Sequence, residues 1–248
     1  MTLDLSVLNP AQRDAVTTTE GPLLVLAGAG SGKTRVLTYR IAHLVGDGGV
    51  PPHAILAITF TNKAAGEMRA RLADLVGPVS RSMWVMTFHA FCVRLLRRDA
   101  KLLGFSPSFT IYDEDDRKRM LSIVLTTLDI DPKRFTPASF VGRISGAKNE
   151  LVTVEEYASR AGSAPEKLAA KVYAEYENRL RQANAMDFDD LLVNAVRLFE
   201  RSPEALDHWR ERFTHILVDE YQDTNHAQYR IVNMLAERRR NLMVVGDD

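Results

Sequence analysis

The sequence predicts an α/β fold on a parallel sheet, interrupted by a helical insertion. Three observations carry this. Short apolar runs alternate with helical segments, the pattern of βαβ units. The first run, Leu23-Leu24-Val25-Leu26, feeds a glycine-rich turn and then a helix. From about Phe105 to Asn184 the strand signal fades and helical patterning takes over.

The elements follow in order. Asn9 and Pro10 open a short helix, as N-cap and first-turn residues do. The glycine-rich turn leads into a helix to about Leu44, which ends at Gly46-Asp47-Gly48-Gly49 and Pro51-Pro52. Ile55 to Thr59 reads as a strand, and Lys63 to about Val76 as a helix. Met83 to Thr87 is the next strand, followed by a helix from Phe88 to about Leu103. The insertion contains helices from Asp113 to about Thr127, Pro137 to Ile144, Val154 to Arg160 and Pro165 to Arg181. A further helix runs from Asp187 to about Phe199, and another starts at Ser202-Pro203. Ile216-Leu217-Val218 is a strand ending in Asp219-Glu220. Gln228 to Glu237 is helical, and Leu242 to Val245 is the last strand.

Composition narrows the function. A chain of 248 residues with 46% hydrophobic and 26% charged residues has a sizeable core in one or two domains. The formal net charge is zero, so nucleic acid would need a local basic patch. The single cysteine, Cys92, can form no internal disulfide, which fits a reducing compartment. The N-terminus lacks a charged region followed by an apolar stretch, and no apolar run approaches the ~20 residues that span a bilayer. A cytoplasmic location and no membrane partner are therefore expected.

Residues 27–34, Ala27-Gly28-Ala29-Gly30-Ser31-Gly32-Lys33-Thr34, fit the phosphate-binding pattern G-x-x-x-x-G-K-[ST], with Ala27 at the first glycine position. Small residues let backbone N–H groups close around a polyphosphate, and the helix N-terminus adds its positive end. Lys33 would reach the β- and γ-phosphates, and the Thr34 hydroxyl would sit on Mg²⁺. The bland alternative is a glycine turn beside a solvated lysine. Asp219 and Glu220, after an apolar strand, supply what such a loop needs. One acid holds Mg²⁺ and the other positions or deprotonates a water. In a parallel sheet, ligands bind outside the carboxyl ends of the strands. Phe60, Thr61, Phe88 and His89 lie just past such ends.

These residues carry a resemblance. The chain resembles the N-terminal part of a UvrD/Rep-type DNA helicase of superfamily 1, over almost its whole length and in family order. Leu8 to Gln12 resembles the Q motif, in which the glutamine reads adenine. Ala27 to Thr34 resembles motif I, where a leading alanine is the usual form. Arg35 matches a residue that lies against the base. Thr59-Phe60-Thr61-Asn62-Lys63-Ala64-Ala65 resembles motif Ia. Thr87 to Phe91 and Asp187 to Leu191 resemble the next DNA-contacting motifs. Asp219-Glu220-Tyr221-Gln222-Asp223-Thr224 resembles motif II, and Val245 to Asp248 the start of motif III.

The resemblance implies a RecA-like phosphate-loop domain formed by residues 1–105 and 185–248. An all-helical subdomain, 106–184, would be inserted in it, and the second RecA-like domain would be absent. The chain is thus expected to be truncated. The implied function is an ATP-dependent 3′–5′ helicase and single-strand translocase. ATP and Mg²⁺ would be its cofactors, and single-stranded DNA and single-/double-strand junctions its partners. Lys33, Asp219 and Glu220 would carry catalysis. Gln12, Arg35 and residues Ala27 to Thr34 would hold nucleotide, and Thr34 and Asp219 the metal. DNA contacts would fall on Phe60, Thr61, Asn62, His89 and Phe188, with Lys148 near duplex DNA. Phe60 and Phe188 would stack bases, while Phe88 packs in the core. Two other readings stay open: a nucleotide-gated DNA-binding module completed in trans, and a phosphate-loop kinase acting on a small molecule. Repair, replication restart and recombination all use such an engine.

Overall fold

The structure, a computed structural model, describes residues 3–28 and 30–247. The chain runs through α1 (Pro10–Thr17), β1 (Leu23–Leu26), α2 (Lys33–Gly46), β2 (Ile55–Thr59), α3 (Asn62–Val76), β3 (Trp84–Thr87) and α4 (Phe88–Asp99). Next come β4 (Thr110–Tyr112), α5 (Glu114–Thr127), α6 (Pro137–Asn149), α7 (Val154–Arg160), α8 (Ala164–Gln182), β5 (Ala185–Asp187) and α9 (Phe188–Arg201). It ends with α10 (Pro203–Arg212), β6 (His215–Val218), α11 (His226–Ala236) and β7 (Leu242–Gly246). Two compact units result. One comprises Met1–Phe91, Pro203–Thr224 and Val232–Asp248, and the other Cys92–Ser202 and Asn225–Ile231.

The first unit is the α/β layer the sequence predicts. Its sheet has the order β1-β7-β6-β2-β3, and each neighbouring pair is parallel. Strands covered on both faces read as unbroken apolar runs. That is why all five residues of β2 and all four of β6 are buried. At the sheet edge β1 instead alternates, leaving Leu24 59% and Leu26 55% exposed. Val36, Leu37, Ile41 and Leu44 of α2 pack with Met68 and Leu72 of α3 over Ile55, Leu217 and Val245. The Arg40 guanidinium is buried in this layer, where it donates to the carbonyls of Ala15 (2.8 Å) and Thr19 (3.4 Å). Desolvation lowers its pKa to about 10, against the opposing charge of Glu20. These bonds fasten the end of α1 to α2. Trp84, Phe91, Trp209 and Phe213 form an aromatic cluster that fixes α10 against β3, with Trp209 and Phe213 stacked at 5.8 Å.

The second unit is mainly helical. Leu121 and Val124 of α5, Phe140 and Ile144 of α6, and Val172 and Tyr176 of α8 share one core. Among the described residues no helix is long and apolar enough to cross a membrane.

Three details depart from the sequence expectations. The helix after Phe88 ends at Asp99, and Ala100–Leu103 is a 3-10 turn closed by Gly104 in the left-handed region (φ 81°). Helix α6 continues to Asn149 rather than Ile144. β4 lies inside the stretch read as all-helical and pairs in parallel with β5, which starts just past its end. Three-residue strands are too short to set up a period of two. By contacts the compact units divide at 91/92 and 202/203, with Asn225–Ile231 grouped with the second. A buried charge network binds the start of α9 to the helices. Lys148 of α6 lies 3.0 Å from Asp187 and 2.7 Å from Asp190, and Arg117 of α5 lies 3.1 Å from Asp189.

Candidate active site

The parallel registers place the strand ends on one edge. Leu26 pairs with Gly246, Val218 with Val244, Ile58 with Val218, and Thr59 with Thr87. The residues that follow, among them Ala27, Asp247, Asp219 and Phe60, therefore leave the sheet on the same side. A cavity of about 800 Å³ opens there, lined by Gln12, Gly30 to Arg35, Thr38, Tyr39, Arg71, Asp74, Leu75, Glu220 and Asp247.

The loop is built by backbone geometry. Gly30 (φ 78°) and Gly32 (φ 89°) both adopt left-handed conformations, which residues with a Cβ enter only at a cost. Gly32 forms the N-cap of α2 with no side-chain cap, leaving the first N–H groups of the helix for a ligand. The Ala27 N–H donates to the Gly246 carbonyl (3.2 Å), tying the loop to the end of β7. Ala29, expected among the loop residues, lies outside the described residues.

Helix α1 brings Gln12 to this loop. Asn9 and Gln12 cap each other: the Gln12 N–H donates to Asn9 Oδ1 (2.9 Å), and the Asn9 N–H to Gln12 Oε1 (3.1 Å). The other end of the carboxamide, Nε2, donates to the Ser31 carbonyl at 2.9 Å. A residue that reads as an ordinary helix-surface glutamine is thus fixed against the glycine-rich loop. Arg35 is exposed and lines the same cavity.

Lys33 is 9% exposed. Its ammonium donates to the Ala27 carbonyl (3.0 Å) and forms an ion pair with the Asp247 carboxylate. Asp219 is 4% exposed, and its N–H donates to the Ile58 carbonyl (3.0 Å). Desolvation, and then the adjacent Glu220, raise its pKa above the ordinary carboxylate value. Glu220 has φ 50°, a conformation uncommon outside glycine, held in part by its N–H donating to Asp219 Oδ1 (3.1 Å). Gln222 Nε2 donates to Glu220 Oε2 at 2.7 Å.

The candidate DNA-facing residues separate by burial. In the first unit Phe60 is half-buried, its ring edge-on to Phe88 at 5.6 Å, and Phe88 is 1% exposed. Thr61 and Asn62 are exposed, and the Thr61 hydroxyl caps α3 by accepting from the Ala64 N–H (3.1 Å). His89 is half-buried in the first turn of α4. In the second unit Phe188 is 45% exposed. Lys148 corrects the sequence expectation. It is 1% exposed and paired with Glu177 (2.6 Å), Asp187 and Asp190, so its ammonium is not offered to DNA.

Sequence reasoning missed Arg71, Asp74 and Tyr39, which line the cavity from α3 and α2. It also missed Gln222, which it quoted inside a motif without a role of its own. Arg71 and Asp74 belong to an ordinary amphipathic helix, and nothing in their spacing marks them.

A family model described as the UvrD/REP helicase N-terminal domain matches residues 8–248. An ATP-dependent DNA helicase PcrA of Bacillus subtilis is 51% identical over 243 residues, covering 98% of this chain and 33% of that protein. The protein of the same name from Staphylococcus epidermidis is 52% identical over 240 residues, or 97% and 33%. That from Staphylococcus aureus is 50% identical over 243 residues, or 98% and 33%. The chain spans about a third of the length of these relatives.

Proposed function

Because the chain belongs to the UvrD/REP helicase family, we propose that it is the nucleotide-binding part of an ATP-dependent, cytoplasmic DNA helicase that tracks 3′ to 5′ along one strand. The supporting observation is the convergence of Gln12, the phosphate loop and Glu220 on one cavity of about 800 Å³ at the carboxyl edge of the sheet. Gln12 and Arg35 hold the base. The backbone from Ala27 to Thr34 wraps the phosphates, and Lys33 neutralises them. Glu220 orients the attacking water and takes its proton. The Thr34 hydroxyl and the Asp219 carboxylate would hold Mg²⁺. A hydroxyl and a carboxylate suit that hard ion, and a buried Asp219 beside Glu220 calls for a cation. The ion would supply charge neutralisation on the phosphates.

The sheet unit acts as the first RecA-like domain and the helical unit as its inserted subdomain. Phe60 and Phe188 stack bases of single-stranded DNA, and Thr61, Asn62 and His89 contact the strand. A second RecA-like domain completes the ATP site with arginines, so that nucleotide-driven closure moves the grip along the strand and toward a duplex junction. In related phosphate-loop enzymes such an arginine is worth ~10³–10⁵ in rate. Residues 1–248 alone are then expected to bind ATP weakly, hydrolyse it negligibly and leave duplexes intact.

The test is to measure ATP binding, DNA-stimulated hydrolysis and unwinding by residues 1–248, alone and with the second domain restored. Unwinding on restoration supports the helicase. Strong DNA-stimulated hydrolysis by residues 1–248 alone overturns the half-site, and nucleotide-gated DNA binding without unwinding after restoration favours a binding module.

A further inference from the structure

We propose that Gln222 is a positioning residue that governs nucleotide binding by holding the Asp247 carboxylate on Lys33. Its exposed carboxamide is used at both ends. Nε2 donates to Glu220 Oε2 at 2.7 Å, and Oε1 accepts the Asp247 N–H at 3.1 Å. The position before Asp247 leaves room for this bridge only as glycine. A Cβ on Gly246 would stand 2.8 Å from Gln222 Oε1. Asp247, so placed, pairs with the Lys33 ammonium, which also donates to the Ala27 carbonyl at 3.0 Å.

The consequence is competition. In this arrangement the Lys33 ammonium is already engaged by a carboxylate, and a phosphate must displace that carboxylate to reach it. The strength of the hold depends on where the backbone at 247 sits, and Gln222 sets that position by hanging it from Glu220. The Asp247 side chain is 45% exposed, so water screens the pair and the barrier it adds is modest. Gln222 therefore acts through Asp247 rather than by touching nucleotide. This inference rests on the reading of residues 27–34 as the nucleotide site.

The test is a double-mutant cycle read by titrating a fluorescent ATP analogue into residues 1–248. Asp247→Asn is expected to bind about fivefold tighter than wild type, because the competing charge is gone. Gln222→Ala is expected to bind about threefold tighter, because one bridging amide is lost. The double variant should stay within about twofold of Asp247→Asn alone, because Gln222 has nothing left to position. Gly246→Ala, whose Cβ pushes the carboxamide aside, should reproduce Gln222→Ala. An unchanged affinity for Gln222→Ala, weaker binding by Asp247→Asn, or two effects that simply multiply each overturns the proposal. Equal binding by wild type and Lys33→Ala overturns the nucleotide-site reading itself, and the positioning role with it. A thermal melt of each variant separates these outcomes from loss of fold, and Gln222→Asn, too short to bridge, should behave as Gln222→Ala does.

Discussion

The Lys148 ammonium lies 3.0 Å from an Asp187 carboxylate oxygen, and both side chains are sealed from solvent, at 1% and 0% exposure. Asp190 at 2.7 Å and Glu177 at 2.6 Å complete the shell around the cation, and the Tyr176 hydroxyl donates to the same Asp187 oxygen at 3.0 Å. Burial works against the charge of Lys148, but Asp187, Asp190 and Glu177 overcome it and hold the ammonium well above its ordinary pKa. Asp187 also caps α9, accepting the Asp190 N–H at 2.8 Å. One cluster thus joins α6, α8 and the start of α9.

The first prediction is that Lys148→Met removes stability and not DNA affinity. Methionine keeps most of the volume but leaves three carboxylates around an empty centre. Breaking a buried pair from one side costs about 3–5 kcal/mol. A thermal or urea melt should show the loss. Adding Asp187→Asn to Lys148→Met should recover part of it, since the buried carboxylate that the cations hold ionised is then removed as well. An unchanged melt together with weaker, salt-sensitive DNA binding would return Lys148 to the DNA surface.

How much of this was legible in the sequence depends on distance along the chain. The candidate phosphate loop is eight consecutive residues, and Asp219 and Glu220 follow an apolar run, so both are visible as local patterns. The parallel sheet is visible because its central strands β2 and β6 are buried on both faces and its strands are separated by helical periods. The Lys148 network is not visible. Its carboxylates come from residues 177, 187 and 190, and a lysine beside an asparagine reads as surface. Gln12 sits between these cases. Its cap with Asn9 is local, but its bond to Ser31 spans nineteen residues and appears only once α1 is placed against the loop.

Gly32 carries the second prediction. Its φ of 89° is strained for any L side chain, and an added Cβ would meet Gln12 Nε2 at 3.0 Å. Gly32→Ala should therefore act twice: left-handed backbone costs about 1–2 kcal/mol, and the Gln12–Ser31 bond is pushed apart. Nucleotide affinity should fall by more than stability alone explains, with selectivity for adenine over guanine reduced. A variant that melts lower but keeps its affinity and base preference would detach Gln12 from the site.

His215 sets a pH dependence. It is 6% exposed at the start of β6, its Nδ1 lying 3.0 Å from the Thr214 hydroxyl. Burial lowers its pKa below the usual 6.5, with Arg40 acting in the same sense and Glu20 opposing. A histidine depressed in the fold binds fewer protons folded than unfolded. Its contribution to stability is complete above 6.5 and is lost as pH falls from there through the lowered folded value. Urea midpoints measured downward from neutral pH should show this slope, and His215→Gln should flatten it. An identical slope in that variant would assign the dependence to other groups.

The last prediction orders three phenylalanines by what surrounds them. Phe88 is 1% exposed, and Phe88→Ala should cost about 3–5 kcal/mol of stability, as large core truncations do. Phe188 is 45% exposed, so truncating it removes less packing than truncating Phe88. If it stacks a base, Phe188→Ala should weaken single-strand binding by about 1–3 kcal/mol while lowering the melt less than Phe88→Ala does. Phe60 stands between them, half-buried with one edge on Phe88 at 5.6 Å, and its alanine variant should lose both some stability and some affinity. Parallel titrations of a poly-dT oligonucleotide and parallel melts separate the cases. Full DNA affinity in Phe188→Ala would remove it from the strand-binding surface and leave Phe60 as the remaining stacking candidate.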